Sequence, residues 1–382
     1  MGEQILLEIV DDIYDNLNTL KELFSNVKSD STAFKVVDKF IHKIDSRLTG
    51  LNEIRKTCKD NLPKLKHRAQ YKELYTRLTF NLQRYREEVY LLSAVYELFL
   101  CYKNLCENNT NNRYAIGIIS KYVIEMAKEV NIPENIAIFS TVQNEYSSLP
   151  IEMEESVCFI MLPTVDLHKP WKWVLLTHEL GHLFYEIQKY AILPEVMPKI
   201  EDTLQNSLPS EVNKEEKVRR YKDLWSELWL KEIVADIIGA SLCGPAYSRA
   251  LITQLSDPAP TSYASDHPPL EARIMSGIEY LKRVGAPNKM VEATERTWRK
   301  FRENIQDSQV LPGFFSREIL TSIAQQIADL FPDPFIVSNW EDVLRIAKEI
   351  KEIPEIKKKD VKLLIPAITL SDRKIRVTDI KL

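Results

Sequence analysis

The run QYKELYTRLTFNLQRYREEVYLLSAVYELFLCYKNLCE, residues 70–107, contains neither proline nor glycine. Strands are rarely half that long, and nothing in the run breaks a regular backbone, so it reads as one helix of many turns. The same scarcity marks the whole chain: glycine occurs 9 times in 382 residues, and apolar residues recur mostly at helical spacing. From the first residue to about 108 the sequence therefore predicts long amphipathic helices. NNTNNR (108–113) reads as a loop, with another helix after it to about residue 130. The heptads are too irregular for a coiled coil, and there is no repeat of fixed period.

The pattern changes at NIPENIAIFSTVQNEYSSLP (131–150), where Pro, Asn and Ser bound a short β-like run, Ala137 to Thr141. A second β-branched, apolar run, SVCFIMLP (156–163), leads directly into WKWVLLTHELGHLFYEI (171–187), an apolar helix. Residues 191–217 are expected to be proline-broken and polar. A helix is expected over about 214–242, stopped by Cys-Gly-Pro at 243–245, and then a loop with SDPAPTSYASDHPP (256–269). Helices follow near 270–284, 287–305, 315–331 and 339–352, while 353–382 looks extended, as a strand pair or a docked tail. The expected fold class is α+β and predominantly helical, with a small sheet and an active-site helix flanked by helical regions. Its expected divisions are a helical region 1–130, a core 131–285, a helical cap 286–352 and an extended tail 353–382.

Composition excludes several classes of function. The net charge of −4 offers no basic field for nucleic acid, and the basic clusters KLKHR (64–68) and KKK (357–359) are short. No apolar run reaches the roughly 18–20 residues of a membrane span, so stable membrane insertion is not expected. The acidic, amphipathic opening does not resemble a secretory signal. Five cysteines, at 58, 101, 106, 158 and 243, are odd in number and lack CxxC spacing. They read as reduced thiols, and the expected location is the cytoplasm.

The chemistry lies in THELGH (177–182). His178 and His182 are four apart, so on a helix their imidazoles leave one face about one turn apart and can reach one tetrahedral Zn²⁺. Glu179 is rotated by about 100°, which suits it less to ligation than to taking the proton of a water held by that ion. The helix is apolar nearly all round, and a buried histidine pair with a carboxylate between needs partners that a metal would supply. The extended motif His-Glu-x-x-His-x-x-Gly-x-x-His fails here, because Tyr185 and Gln188 stand where the glycine and the third histidine would be. LWLKEIVADIIGA (228–240) offers the third ligand instead. Glu232 and Asp236 share one face of a strongly apolar helix, so Glu232 can ligate and Asp236 can accept the free ring N–H of a ligand histidine.

THELGH followed about fifty residues later by KEIVADIIGA (231–240) resembles the gluzincin metallopeptidases. SDHPPLEARI (265–274) resembles the His-Pro…Arg-Ile segment of the HtpX-like and CAAX-prenyl-peptidase branch, which includes small soluble minigluzincins. The resemblance covers roughly residues 155–285. It implies a zincin-like core with one zinc per chain on His178, His182 and Glu232, Glu179 as general base, and Asp236 behind His178. It also implies that His267 or a nearby tyrosine, Tyr263 by position, meets the oxyanion and that Arg273 braces the site. In that family a strand beside the metal helix pairs with the substrate backbone; Ala137–Thr141 and Val157–Leu162 are both candidates. The resemblance thus implies zinc-dependent hydrolysis of a peptide or protein substrate.

The long helices of residues 1–107 motivate a rival reading, since a peptidase core does not need them. They offer a surface for a protein partner, for a second copy of the chain, or for covering the cleft, and the zincin core would then be structural or latent. A further variant resembles the ImmA/IrrE-like regulatory peptidases, which share His-Glu-x-x-His and a downstream Glu.

Overall fold

In the computed structural model the described residues are 2–26, 31–65, 67–107, 109–134, 136–151, 157–208, 213–255, 267–303, 311–352, 356–357, 360–371 and 375–381. The chain divides into two compact units, Met1–Asn109 with Ile151–Val157, and Thr110–Pro150 with Cys158–Leu382. The architecture is predominantly helical with a small three-stranded sheet, as the sequence indicates.

The first unit is built from α1 (Gly2–Ser25), α2 (Ser31–Asp60) and α3 (Arg68–Glu107). The proline-free, glycine-free run is a single helix, as expected. Leu6, Val10, Ile13, Leu17, Leu20 and Phe24 are all buried. Their alternating spacing of four and three keeps one stripe of α1 against its neighbours. Ion pairs Arg55–Asp11 and Lys21–Asp45 run in opposite directions along α1 and α2, which fixes the two as antiparallel. Phe24 stacks on Phe40 at 5.5 Å and meets Phe99 edge-on at 6.0 Å, closing the core where all three helices meet.

The second unit begins with α4 (Thr110–Glu129) and, apart from the end residues Ile151 and Val157, holds the strands β1 (Ala137–Gln143), β2 (Ser147–Ile151) and β3 (Val157–Pro163), in the order β1-β3-β2. All seven residues of β3 are buried, as a central strand requires. Next come α5 (Leu176–Ser207), α6 (Lys214–Leu224), α7 (Leu230–Cys243), α8 (Pro245–Gln254), α9 (Leu270–Arg283), α10 (Asn288–Glu303), α11 (Arg317–Leu330) and α12 (Phe335–Glu352). The unit ends with β4 (Ile356–Lys357), α13 (Val361–Leu370) and β5 (Ile380–Lys381). Among the described residues no helix is long and apolar enough to cross a membrane. Cys58, Cys101, Cys158 and Cys243 are free thiols.

Four expectations are corrected. The strand at 157–163 does not run straight into the helix; two 3₁₀ turns, Thr164–Asp166 and Pro170–Leu175, intervene. Asp166 locks them, accepting from Lys169 at 2.9 Å and Lys172 at 3.1 Å while its carbonyl accepts from the Trp173 indole. The stretch after 191 is not broken by its prolines, for α5 continues through Pro194 and Pro198 to Ser207. Ile192, Val196, Ile200 and Leu204 lie four apart and fully buried, and that packing outweighs the lost backbone bonds. The tail is not wholly extended. Asp360 caps α13 by accepting from the Lys362 amide, and Thr369 docks the helix by donating to the Trp171 carbonyl. β4 and β5 do pair, in parallel, with Ile356 opposite Ile380. NNTNNR (108–113) is not a loop throughout, since α4 begins within it at Thr110; β2 is a strand the sequence did not announce.

Candidate metal centre

The site is built on three helices. α5 carries His178, Glu179 and His182, α7 carries Glu232 and Asp236, and α9 carries Arg273. α7 is buried along nearly all its length, as an all-round apolar helix must be. It is preceded by a π-helical turn, Trp225–Trp229, which adds a residue to the rod that began at Lys214. α5 and α7 approach closely because residue 181 is glycine: a Cβ there would lie 2.5 Å from the Ala235 Cα and 2.8 Å from its carbonyl oxygen. The contact places the α5 histidines one side chain away from the α7 carboxylates.

The donor set converges. One ligand atom each from His178, His182 and Glu232 lies within 4.8 Å of the other two. Nε2 of His178 is 3.4 Å from Glu232 Oε2, Nε2 of His182 is 3.4 Å from Glu232 Oε1, and the two rings are 4.5 Å apart. Two imidazoles and one carboxylate facing a common point are the donor types that suit zinc, so these residues fit a metal ion. On its other side, Nδ1 of His178 faces Asp236 Oδ1 at 3.1 Å. That partner directs Nε2 toward the donor cluster.

Asp236 is fully buried and held from two directions. Arg273 Nε donates to Oδ2 at 2.6 Å and Nη2 to Oδ1 at 3.0 Å. Tyr247, from α8, donates its hydroxyl to Oδ1 and lies 3.1 Å from His178 Nδ1. Its ring fits because residue 239 is glycine, where a Cβ would sit 2.5 Å from the ring.

The electrostatics divide the groups. Burial works against a charged Asp236, but Arg273 and His178 more than reverse it and hold the carboxyl low. Glu232 is likewise lowered, its burial outweighed by His178, Arg273 and His182. Burial would lower His178, yet its bonds to Asp236 and Glu232 raise it to about 10. His182 is pushed down to about 3 by burial and by the neighbouring His178. Glu179, 4% exposed, rises to about 7, chiefly through burial, with His178 and a hydrogen bond to Ser148 pulling the other way.

A cavity of about 340 Å³ opens on the donor cluster. It is lined by Ser147, Ser148 and Pro150 from β2, by Tyr146, by Glu179 and Tyr185 from α5, and by Lys231 and His267. His267 thus stands at the same cavity as His178, His182 and Glu232. Tyr263 lies outside the described residues. Of the strands the sequence put forward, Val157–Leu162 falls in the sheet centre and cannot offer a free edge, whereas Ala137–Thr141 lies in the edge strand β1. The strand that is both at an edge and at the cavity is β2.

Sequence reasoning missed Tyr247, Ser148 and Lys231. His168 lies outside the cavity, exposed and bonded to Asn112. In comparisons with protein-family models, curated proteins and solved structures, no match to this chain was found.

Proposed function

We propose that the chain is a zinc-dependent metallopeptidase of the gluzincin type, hydrolysing peptide bonds in a peptide or protein substrate. One observation carries the reading: the His178, His182 and Glu232 donor atoms converge in a cavity that also holds a buried Glu179 and an edge strand. A zinc ion in that cluster supplies Lewis acidity toward a carbonyl oxygen and acidifies water. Glu179, buried beside the donor group, is poised to take a proton from water and return it to the leaving amine. The Ser148 hydroxyl orients that carboxylate from β2. Asp236, held by Arg273 and Tyr247, fixes the ring of His178. The outer side of β2, which pairs with no strand among the described residues, can take up an extended peptide by main-chain hydrogen bonding, independently of its side chains. Of the two candidates for meeting the oxyanion, His267 lines the cavity wall, and we assign it that role.

Glu179→Gln tests the roles. It keeps the donor set intact, so zinc content stays at wild-type level while turnover of a peptide mixture disappears. Loss of zinc from that variant, or unchanged cleavage, refutes the assignment.

A second reading concerns the first unit. Its three helices close their own aromatic core, and none of the cavity residues belongs to it. A module that the chemistry does not need is suited to binding a protein partner or a second copy of the chain. Cross-linking and sedimentation of the full chain distinguish these from a monomer.

A further inference from the structure

The cavity at the metal cluster holds more charge than the reaction uses. His178, Glu179, His182 and Glu232 are accounted for above. Two further charged side chains line the cavity, Glu186 and Lys231. Glu186 is compensated, because Lys189 lies 2.6 Å from its carboxylate. Lys231 is different: no carboxylate among the described residues forms an ion pair with it. It precedes Glu232 on α7, so its side chain leaves the helix about 100° away from the ligand carboxylate. It is half-buried, and its charge is felt at His182. Its stem is partly covered while its ammonium borders the cavity, so it is the cation that an anionic group entering the cavity would meet.

We propose that Lys231 is a specificity-determining residue that binds a carboxylate of the peptide lying in this cavity. The proposal rests on the peptidase reading and adds a substrate class to it: peptides with an acidic group near the scissile bond. The carboxylate can be an Asp or Glu side chain or the C-terminus, since both present the same two acceptor oxygens to an ammonium. Ser147, Ser148 and Pro150 of β2 line the same cavity, so a peptide laid along that strand passes through the space that Lys231 borders. Charge complementarity of this kind selects partners more than it adds raw affinity.

The test uses the full-length, zinc-loaded Glu179→Gln protein, immobilised and exposed to a defined mixture of synthetic dodecapeptides. The mixture is prepared once with free and once with amidated C-termini, and retained peptides are quantified by mass spectrometry. The expected result is about tenfold enrichment of peptides with Asp or Glu at one position, or of the free-terminus set over the amidated set. That enrichment should vanish when Lys231→Gln is added and persist with Lys231→Arg. Retention without an acidic preference, or an acidic preference that survives Lys231→Gln, overturns the role of Lys231 and leaves the peptidase reading standing. No retention above a His178→Ala/His182→Ala control overturns the peptide-binding reading, and the proposal with it.

Discussion

Arg273 grips Asp236 at two points, Nε to Oδ2 at 2.6 Å and Nη2 to Oδ1 at 3.0 Å, with the arginine 5% exposed and the aspartate fully buried. The pair ties α9 to α7 beside the His178–His182–Glu232 donor group. Removing one member leaves the other as an uncompensated buried charge, which typically costs about 3–5 kcal/mol. Arg273→Met is therefore expected to lower unfolding stability by about that amount, read from urea denaturation. Arg273→Lys restores the charge but not the planar fork, so it should fall between. A loss under about 1 kcal/mol for Arg273→Met would mean that Asp236 finds water or another partner instead.

The donor set predicts the metal content. Purified wild-type chain should carry about one zinc, lost or sharply weakened in Glu232→Ala and retained in Glu179→Gln. Plasma mass spectrometry measures all three. Zinc indifferent to Glu232 would remove Glu232 from the ligand set, and a wild-type chain without zinc would overturn the metal site, so that the interaction reading would then lead.

The two histidines should titrate in opposite senses before metal is added. His178 is raised to about 10 and His182 lowered to about 3. In the zinc-free protein, nitrogen-15 spectra of the imidazoles should show His178 still protonated at pH 8 and His182 neutral at pH 5. The sign for stability follows. A folded value of about 10 against an ordinary 6.5 means His178 stabilises the metal-free fold fully below 6.5. That contribution is lost as pH rises toward 10. Zinc requires the neutral ring, so its apparent affinity should climb about tenfold per pH unit across the same interval. An affinity flat between pH 7 and 9 would show that no proton is displaced from His178.

How much of this was legible depends on distance along the chain. His178, Glu179 and His182 are separated by helical arithmetic alone, and so are Glu232 and Asp236, so their faces could be read from spacing. Joining the two helices needed only the premise that buried carboxylates and imidazoles must find partners. Tyr247 could not be reached that way. It lies 69 residues from His178, beyond the chain reversal at Gly244, and its seat depends on the missing side chain at residue 239. β2 escaped because SSLPI is short, polar and contains proline; it exists as an edge strand against β3, a tertiary circumstance. The prolines of α5 misled for the converse reason. Local propensity argued for a break, and four buried apolar residues on one face decided otherwise.

The two glycines at the site make a paired prediction, because different atoms fill the space each leaves open. At Gly181 the obstacle to a methyl group is the Ala235 backbone. Gly181→Ala should therefore force α5 away from α7, cost about 1–3 kcal/mol, and weaken zinc binding by separating the histidines from Glu232. Ala235→Gly should not rescue it, since removing a side chain leaves the Cα and carbonyl where they were. At Gly239 the obstacle is the Tyr247 ring, at 2.5 Å. Gly239→Ala should be destabilising alone and substantially rescued in stability by Tyr247→Leu. Zinc affinity should stay depressed in that double variant, by about ten- to a hundredfold, because Asp236 and His178 have lost the hydroxyl between them. Urea unfolding and zinc titration on the same four proteins separate the two effects. Rescue of zinc affinity together with stability would show that Tyr247 fills space at the centre without orienting it.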